Sequence, residues 1–316
     1  MRNSPILCAA LAALAPLAAA QAGTVSSKRG LVYVATADNA ADDSIWASAA
    51  AADQLTWYYN YAVQPTASLK KSGLNFVPML WGATDADETA QSTAFRDAVR
   101  AQLKAGTNIT HVLGFNEPDG ASATGGSGVP ADLAASTWIR EIEPLRDDGV
   151  RLGAPAVTGS PTGLQWLQNW FTECDGGCNP DFIPIHWYGN WEGFASFLGQ
   201  VMATYANISE VWVTEFAYAD ADKEDSEWFF NTTMEYLDVK MENVTRYSWF
   251  GSFRSSVSNV GVNEAFLNSK GKLTDMGAWY LGQAATGVDG DSAAGRSGVF
   301  AGWTALVCLA SLYALL

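Results

Sequence analysis

The chain has 316 residues, with 33 acidic and 18 basic side chains and a formal net charge of −15 at pH 7. An acidic chain of this kind is repelled by phosphate backbones, which argues against a nucleic acid as partner. Only two histidines are present, His111 and His186, which argues against a histidine-rich catalytic metal site. We therefore expect neither a metal ion nor another cofactor.

The N-terminus has the pattern of a secretory signal peptide. Arg2 precedes an apolar stretch over residues 6–20, and small residues suited to cleavage follow at positions 20–22. We predict that residues 1–22 are removed and that the mature chain is secreted. Four glycosylation sequons agree with secretion, and their asparagines are Asn108, Asn207, Asn231 and Asn243.

The C-terminus has the pattern of a glycosylphosphatidylinositol (GPI) anchor signal. Residues 287–295 are small and polar, and residues 299–316 are apolar and end the chain without a basic cluster. We predict lipid attachment among Gly290, Asp291 and Ser292, with removal of residues 291–316, and a simple tail anchor is the alternative. The mature protein would then lie at the cell surface or cell wall, bound to the membrane through its lipid.

Between these two segments, residues 23–290 are predicted to form one domain and, we expect, a monomer. Eight apolar runs typical of buried strands lie at residues 31–35, 55–63, 75–82, 111–117, 151–157, 183–189, 210–217 and 244–251. Helical segments follow several of them, at residues 95–105, 161–171, 194–205, 224–241 and 275–284, and Pro130 opens another. This alternation in a chain of this size predicts an α/β fold, a single (β/α)8 barrel.

The mature chain retains two of the four cysteines. Cys8 and Cys308 lie in the removable segments, which leaves Cys174 and Cys178. In an oxidising compartment this spacing predicts a small disulfide-closed loop, since a thiolate metal site would need more ligands.

In a (β/α)8 barrel, functional side chains gather at the carboxyl ends of the strands. The predicted strand ends carry amides, aromatic rings and two glutamates, namely Asn60, Tyr61, Trp81, Asn116, Glu117, His186, Tyr188, Glu215 and Trp249. Two poorly hydrated carboxyl groups that face one gap can divide the work of acid and base, which is the chemistry of glycosidic-bond cleavage. Aromatic rings and amides around them suit the faces and hydroxyls of sugars.

The neighbours of each glutamate suggest different roles. Glu117 is flanked by Phe115 and Pro118, with little positive charge nearby, which suits a general acid. Tyr188 shares a strand face with His186, and from there it could donate to Glu215 and hold it ionised. His186 is either a satisfied core histidine or a substrate contact, and Trp249 is either core filler or a sugar platform.

Four short motifs resemble those of glycoside hydrolase family 128, the fungal alkali-sensitive-linkage-protein-like glycosyl hydrolases. They are Asn116-Glu117-Pro118-Asp119, His186-Trp187-Tyr188-Gly189, Trp212-Val213-Thr214-Glu215-Phe216 and Tyr58-Tyr59-Asn60-Tyr61. In the last motif Tyr61 stands where tryptophan is commoner. The resemblance extends in matching order from about residue 30 to residue 284.

The resemblance implies a (β/α)8 barrel that acts on β-1,3-glucan. It implies that Glu117 is the acid/base and Glu215 the nucleophile, while Asn116 bonds the sugar 2-hydroxyl at the cleavage point. It also implies that Tyr188 orients the nucleophile and that Trp249 forms the floor of that subsite. Because Tyr61 replaces the commoner tryptophan, the shape of one sugar subsite is expected to differ from that of the family.

We therefore predict a retaining β-1,3-glucanase of the fungal cell surface. Its predicted substrate-binding residues are Asn60, Trp81, Asn116, His186, Tyr188 and Trp249. One alternative is a wall-anchored glucan-binding protein with little catalysis. Another is a retaining glycosidase of the same clan that acts on β-mannan or β-1,4-glucan.

Overall fold

The computed structural model describes residues 26–35 and 39–290. The predicted signal peptide and the predicted anchor signal, residues 1–22 and 291–316, lie outside the described residues. Within the described ranges the chain has an α/β fold with eight strands and eight α-helices. No helix in those ranges is both long and apolar enough to cross a membrane.

Each predicted strand overlaps one observed strand, although the regular pairing is shorter than the apolar run. The strands are β1 Gly30–Val32, β2 Trp57–Tyr59, β3 Asn75–Phe76, β4 His111–Val112, β5 Arg151–Leu152, β6 Ile183–Tyr188, β7 Val211–Ala217 and β8 Val244–Trp249. The helices are α1 Asn39–Ala51, α2 Asp85–Thr89, α3 Ala94–Lys104, α4 Ala131–Glu141, α5 Pro161–Glu173, α6 Trp191–Thr204, α7 Lys223–Glu235 and α8 Asp275–Tyr280. Helices α1 and α2 were not predicted, because an alanine-rich segment and a short acidic one carry little apolar periodicity.

All strand pairs are parallel, and neighbours in space follow the order of the sequence. Three sheets contain β1–β2–β3, β4–β5 and β6–β7–β8. Isolated parallel bridges link these sheets, joining Met79 to Leu113, Gly153 to Phe182, Val157 to Ile185 and Arg29 to Tyr247. The arrangement is barrel-like, with the carboxyl ends of the strands on one side.

Side-chain caps begin several helices soon after a strand ends. Ser160 Oγ accepts from Gly163 N at 3.0 Å at the start of α5, and Asn190 Oδ1 accepts from Gly193 N at 3.0 Å at the start of α6. Asp222 Oδ1 plays the same part for α7. Because a cap satisfies an otherwise orphaned backbone N–H, these residues fix where the chain turns away from the strand ends.

The core is dominated by aromatic rings carried by the strands. Trp212 of β7 stacks on Phe182 with ring centroids 4.0 Å apart, and its ring lies 5.2 Å from that of Trp57 in β2. Outside the strands, Cys174 and Cys178 form a disulfide that closes the end of α5, as predicted.

Candidate active site

The two predicted glutamates meet at the carboxyl ends of the strands. One carboxylate oxygen of Glu117, one of Glu215 and a ring nitrogen of His186 all lie within 4.8 Å of one another. His186 Nδ1 is 2.9 Å from Glu117 Oε1 and 3.5 Å from Glu215 Oε2. The histidine on β6 therefore bridges a carboxylate that follows β4 and a carboxylate on β7.

The backbone holds Glu117 in an unusual conformation. Its φ is 39°, in the left-handed region that residues other than glycine, asparagine and aspartate rarely adopt. Glu117 N donates to Ala156 O at 2.7 Å, and Glu117 O accepts from Gly120 N at 2.9 Å. Asp119 anchors the same turn by accepting from Thr158 N at 3.0 Å. Strained non-glycine backbone that is held by its surroundings is a common feature of functional sites.

Three tyrosine hydroxyls surround the Glu215 carboxylate. Tyr188 donates to Oε2 at 2.5 Å, the hydrogen bond expected from the sequence. Tyr61 and Tyr59 both donate to Oε1, at 2.7 and 3.1 Å. These two residues were not predicted to contact Glu215.

Electrostatic coupling links the glutamates and the histidine. Burial raises the pKa of Glu215 and the Glu117 carboxylate adds to this, while His186 and the hydroxyl donors oppose it. Burial alone would lower the pKa of His186, but the carboxylates of Glu215 and Glu117 reverse this, so the pKa is raised. Within the described part of the chain, neither glutamate pairs with an arginine or a lysine. The site therefore carries excess negative charge that protons must balance.

The same three residues could in principle contact one metal ion, because their ligand atoms are so close. However, His186 Nδ1 already bonds Glu117, and both oxygens of Glu215 accept from tyrosine hydroxyls. A divalent cation would have to displace these hydrogen bonds. The donor set thus suits proton exchange better than metal ligation.

The remaining predicted substrate contacts differ in their surroundings. Asn116 is buried, and its Nδ2 donates to Gly125 O at 3.1 Å while its Oδ1 has no hydrogen-bond partner. Trp81, half-buried, accepts from Asn116 N through its carbonyl oxygen at 3.0 Å. Asn60 instead stabilises a turn, because its Nδ2 donates to Gln64 O at 3.0 Å. Asn116 Oδ1 is therefore a buried polar atom without a hydrogen-bond partner close to Glu117, and His186 Nε2 is another.

His186 and Trp249 each had two open interpretations. His186 is 0% exposed, and the one hydrogen bond of its ring goes to Glu117, so its burial favours a core histidine tied to the two glutamates. Trp249 is 1% exposed and donates through Nε1 to Glu264 O at 2.9 Å. Its ring packs against Phe216 with centroids 5.1 Å apart, which favours the interpretation as core filler.

Comparisons with known proteins agree with this geometry. Residues 30–280 match the family model described as the glycosyl hydrolase catalytic core. The curated protein Alkali-sensitive linkage protein 1 of Schizosaccharomyces pombe is 28% identical over 267 residues, which are 82% of this chain and 45% of that protein. The chain thus spans about half the length of that relative.

Several solved structures of similar fold are β-1,3-glucanases. A curdlan-specific exo-β-1,3-glucanase of family 128 from Blastomyces gilchristii, in complex with glucose, is 29% identical with a TM-score of 0.61, covering 81% of this chain and 98% of its own. An endo-β-1,3-glucanase from Amycolatopsis mediterranei, in complex with laminaripentaose, is 25% identical with a TM-score of 0.60, covering 81% and 98%. The chain therefore belongs to the glycosyl hydrolase catalytic core family, as a glycoside hydrolase similar to the enzymes of glycoside hydrolase family 128.

Proposed function

We propose that this protein is a retaining β-1,3-glucanase with Glu215 as nucleophile and Glu117 as acid/base. The observation that carries the proposal is the short separation of the two carboxylates, since oxygens of Glu117 and Glu215 lie within 4.8 Å. Retaining glycosidases hold their carboxyl groups about 5–5.5 Å apart, whereas inverting enzymes need about 6.5–9.5 Å to admit a water molecule. The substrate class rests on the neighbouring β-1,3-glucanase structures.

The surroundings of the two carboxylates support the assignment of roles. Glu215 accepts hydroxyl hydrogens at both oxygens, as an ionised carboxylate does, and its side chain is only 6% exposed. Glu117 is more open, at 14% exposed, so it can exchange a proton with a leaving group and with water. Two of the solved structures of the Amycolatopsis mediterranei enzyme are of variants, and each variant has a different glutamate replaced by alanine.

In the first step, Glu215 attacks the anomeric carbon and Glu117 protonates the departing glycosidic oxygen. The resulting glycosyl ester removes the negative charge of Glu215, which favours the ionised form of Glu117. In the second step Glu117 takes a proton from water, which attacks the same carbon and releases the sugar with net retention. Asn116 Oδ1, buried without a partner, is available to accept the 2-hydroxyl of the sugar.

We further propose that the eight strands close into one (β/α)8 barrel. The contact between the first and last strands supports closure, because Tyr247 N donates to Lys28 O at 2.9 Å and Arg29 Nε donates to Tyr247 Oη at 2.9 Å. An ion pair between Arg29 and Asp238, at 3.0 Å, adds to this contact.

Secretion and attachment to the cell surface through a GPI lipid are also proposed, with residues 23–290 as the mature chain. The exposed sequon asparagines and the Cys174–Cys178 disulfide support passage through the secretory pathway.

Incubation of the secreted protein with laminarin and curdlan tests the proposed activity. We expect new reducing ends, and the proton NMR spectrum of fresh product should show the β-anomer before mutarotation. The α-anomer would exclude the retaining mechanism. Binding of laminarin without new reducing ends would favour the glucan-binding alternative, and hydrolysis of only β-1,4-glucan or β-mannan would favour the third.

A further inference from the structure

One aromatic side chain lies exposed on helix α7. Trp228, on α7, is 53% exposed and is the only exposed aromatic residue in residues 26–35 and 39–290. Its helix neighbours Phe229 and Phe230 are buried and pack against Trp249. The burial of α7 on its inner face therefore leaves Trp228 on the outer face, where a bare indole costs hydration free energy.

A glycosylation sequon begins three residues later on the same helix. Asn231 is exposed, and Thr233, which completes the sequon, is buried. Residues three apart on a helix are surface neighbours, with Cβ atoms roughly 5–6 Å apart. Helical side chains lean toward the N-terminus, so the amide of Asn231 extends over the turn that carries Trp228. A sugar attached to that amide would therefore lie next to the indole of Trp228.

The other three sequons have a different setting. Asn108, Asn207 and Asn243 lie in the connections that precede β4, β7 and β8, so they are at the amino ends of strands. None of them has an exposed aromatic residue within four positions along the chain. They provide internal comparisons for Asn231, since a glycan there has no exposed ring beside it in sequence.

We propose that Asn231 carries an N-linked glycan whose first N-acetylglucosamine packs on Trp228. The bond forms between Nδ2 and the anomeric carbon of the sugar, the bond from that carbon to the pyrophosphate of a lipid-linked donor breaks, and the amide loses a proton. Because Thr233 is buried in the folded protein, the sequon is accessible to the transferase only before α7 packs. The apolar face of the sugar then covers the indole and stabilises α7.

The full chain, expressed in a eukaryotic secretory host, tests both parts of the proposal. Glycopeptide mass spectrometry reports occupancy at Asn231, and thermal unfolding reports the packing. We expect Asn231→Gln to lower Tm by about 2–4 °C in the natural background, a typical shift for a modest loss of stability in a domain of this size. In the Trp228→Gln background, the same change should leave Tm unaltered. Thr232→Ala keeps the sequon and serves as the matched control.

A second sequon separates packing from a general effect of glycans. Asn108→Gln should change Tm by the same amount whether residue 228 is tryptophan or glutamine, because distant sites are additive. An unmodified Asn231 in a chain occupied at its other sequons would overturn the proposal. Additive Tm shifts for Asn231→Gln and Trp228→Gln would also overturn it, as would a Trp228→Gln variant that loses laminarin binding regardless of Asn231.

Discussion

The two histidines of this chain lie at opposite ends of the strands and in opposite electrostatic surroundings. His186, near the carboxyl end of β6, faces Glu117 and Glu215, whose charges raise its pKa against the effect of burial. His111 begins β4, where burial and the nearby Arg246 and Arg151 lower its pKa to about 3. The same side chain is thus driven toward its charged form at one end and toward its neutral form at the other.

This difference in charge indicates which of the two polar clusters is suited to proton transfer. Around His111 the charges are balanced, since Arg246 and Arg151 are matched by Glu210 and Asp181, and Arg151 pairs with Glu210 at 2.5 Å. Around His186 two carboxylates share one imidazole, and among residues 26–35 and 39–290 neither carboxylate pairs with an arginine or a lysine. Balanced charges stabilise a structure, whereas an excess of one sign leaves protons to be shared and moved.

The largest expected effect is at the carboxylate pair. Glu215→Gln retains the shape of the side chain but removes the charge of the proposed nucleophile, so laminarin hydrolysis should fall on the order of 10⁴-fold or more. The control is Glu264→Gln at another buried carboxyl, which accepts from Ser226 Oγ at 2.5 Å and has its pKa raised to about 8 by burial. That control should hydrolyse laminarin within about twofold of the natural enzyme. Normal turnover by Glu215→Gln would reject the assignment of the nucleophile.

A smaller effect is expected when the bridging imidazole is replaced. His186→Asn keeps an amide that can bond Glu117 but cannot carry a proton charge, and kcat should fall roughly 10–100-fold with little change in KM. Since its pKa is raised in the folded state, His186 stabilises the fold below the unfolded pKa of about 6.5 and loses that contribution as pH rises through the folded value. In the His186→Asn variant, the free energy of unfolding should not show this decrease as pH rises. An unchanged kcat would mean that the imidazole does not order the pair.

Tyr61, which stands where tryptophan is commoner in the family's motif, gives a finer test of the same carboxylate. Tyr61→Phe removes one of the donors to Glu215 Oε1, and a hydrogen bond to a charged group contributes about 1.5–3 kcal/mol. The acidic limb of the kcat/KM profile should therefore move up by about one to two pH units, because each unit is worth 1.36 kcal/mol. Tyr205→Phe, which removes a buried hydroxyl without a partner, is the control. A limb that does not move would show that Tyr61 leaves the ionisation of Glu215 unaffected.

Local pattern predicted much of this site, because strand-forming apolar runs and the glutamates that end them lie close together in the sequence. The approach of Tyr59 and Tyr61 to Glu215 could not be predicted in this way, since it joins residues more than 150 positions apart. The positive φ angles of Tyr61 and Glu117 could not be predicted from residue type, because glycine is the residue that usually adopts this conformation. The burial of Trp249 depends on α7 packing over β8, which periodicity within one strand does not report.

The smallest expected effect is at His111, and it should appear in stability and not in turnover. With a folded pKa of about 3 and an unfolded value of about 6.5, the unfolded chain binds more protons between these pH values, so His111 makes stability fall as pH falls through that window. His111→Asn should flatten this dependence by up to about 1.4 kcal/mol per pH unit, measured by urea unfolding at pH 4.5 and 7. Laminarin hydrolysis at pH 7 should stay near the natural rate. If His111→Asn slowed hydrolysis as much as His186→Asn, the proposed difference between the two histidine clusters would be wrong. Both histidines would then affect the carboxylates of Glu117 and Glu215.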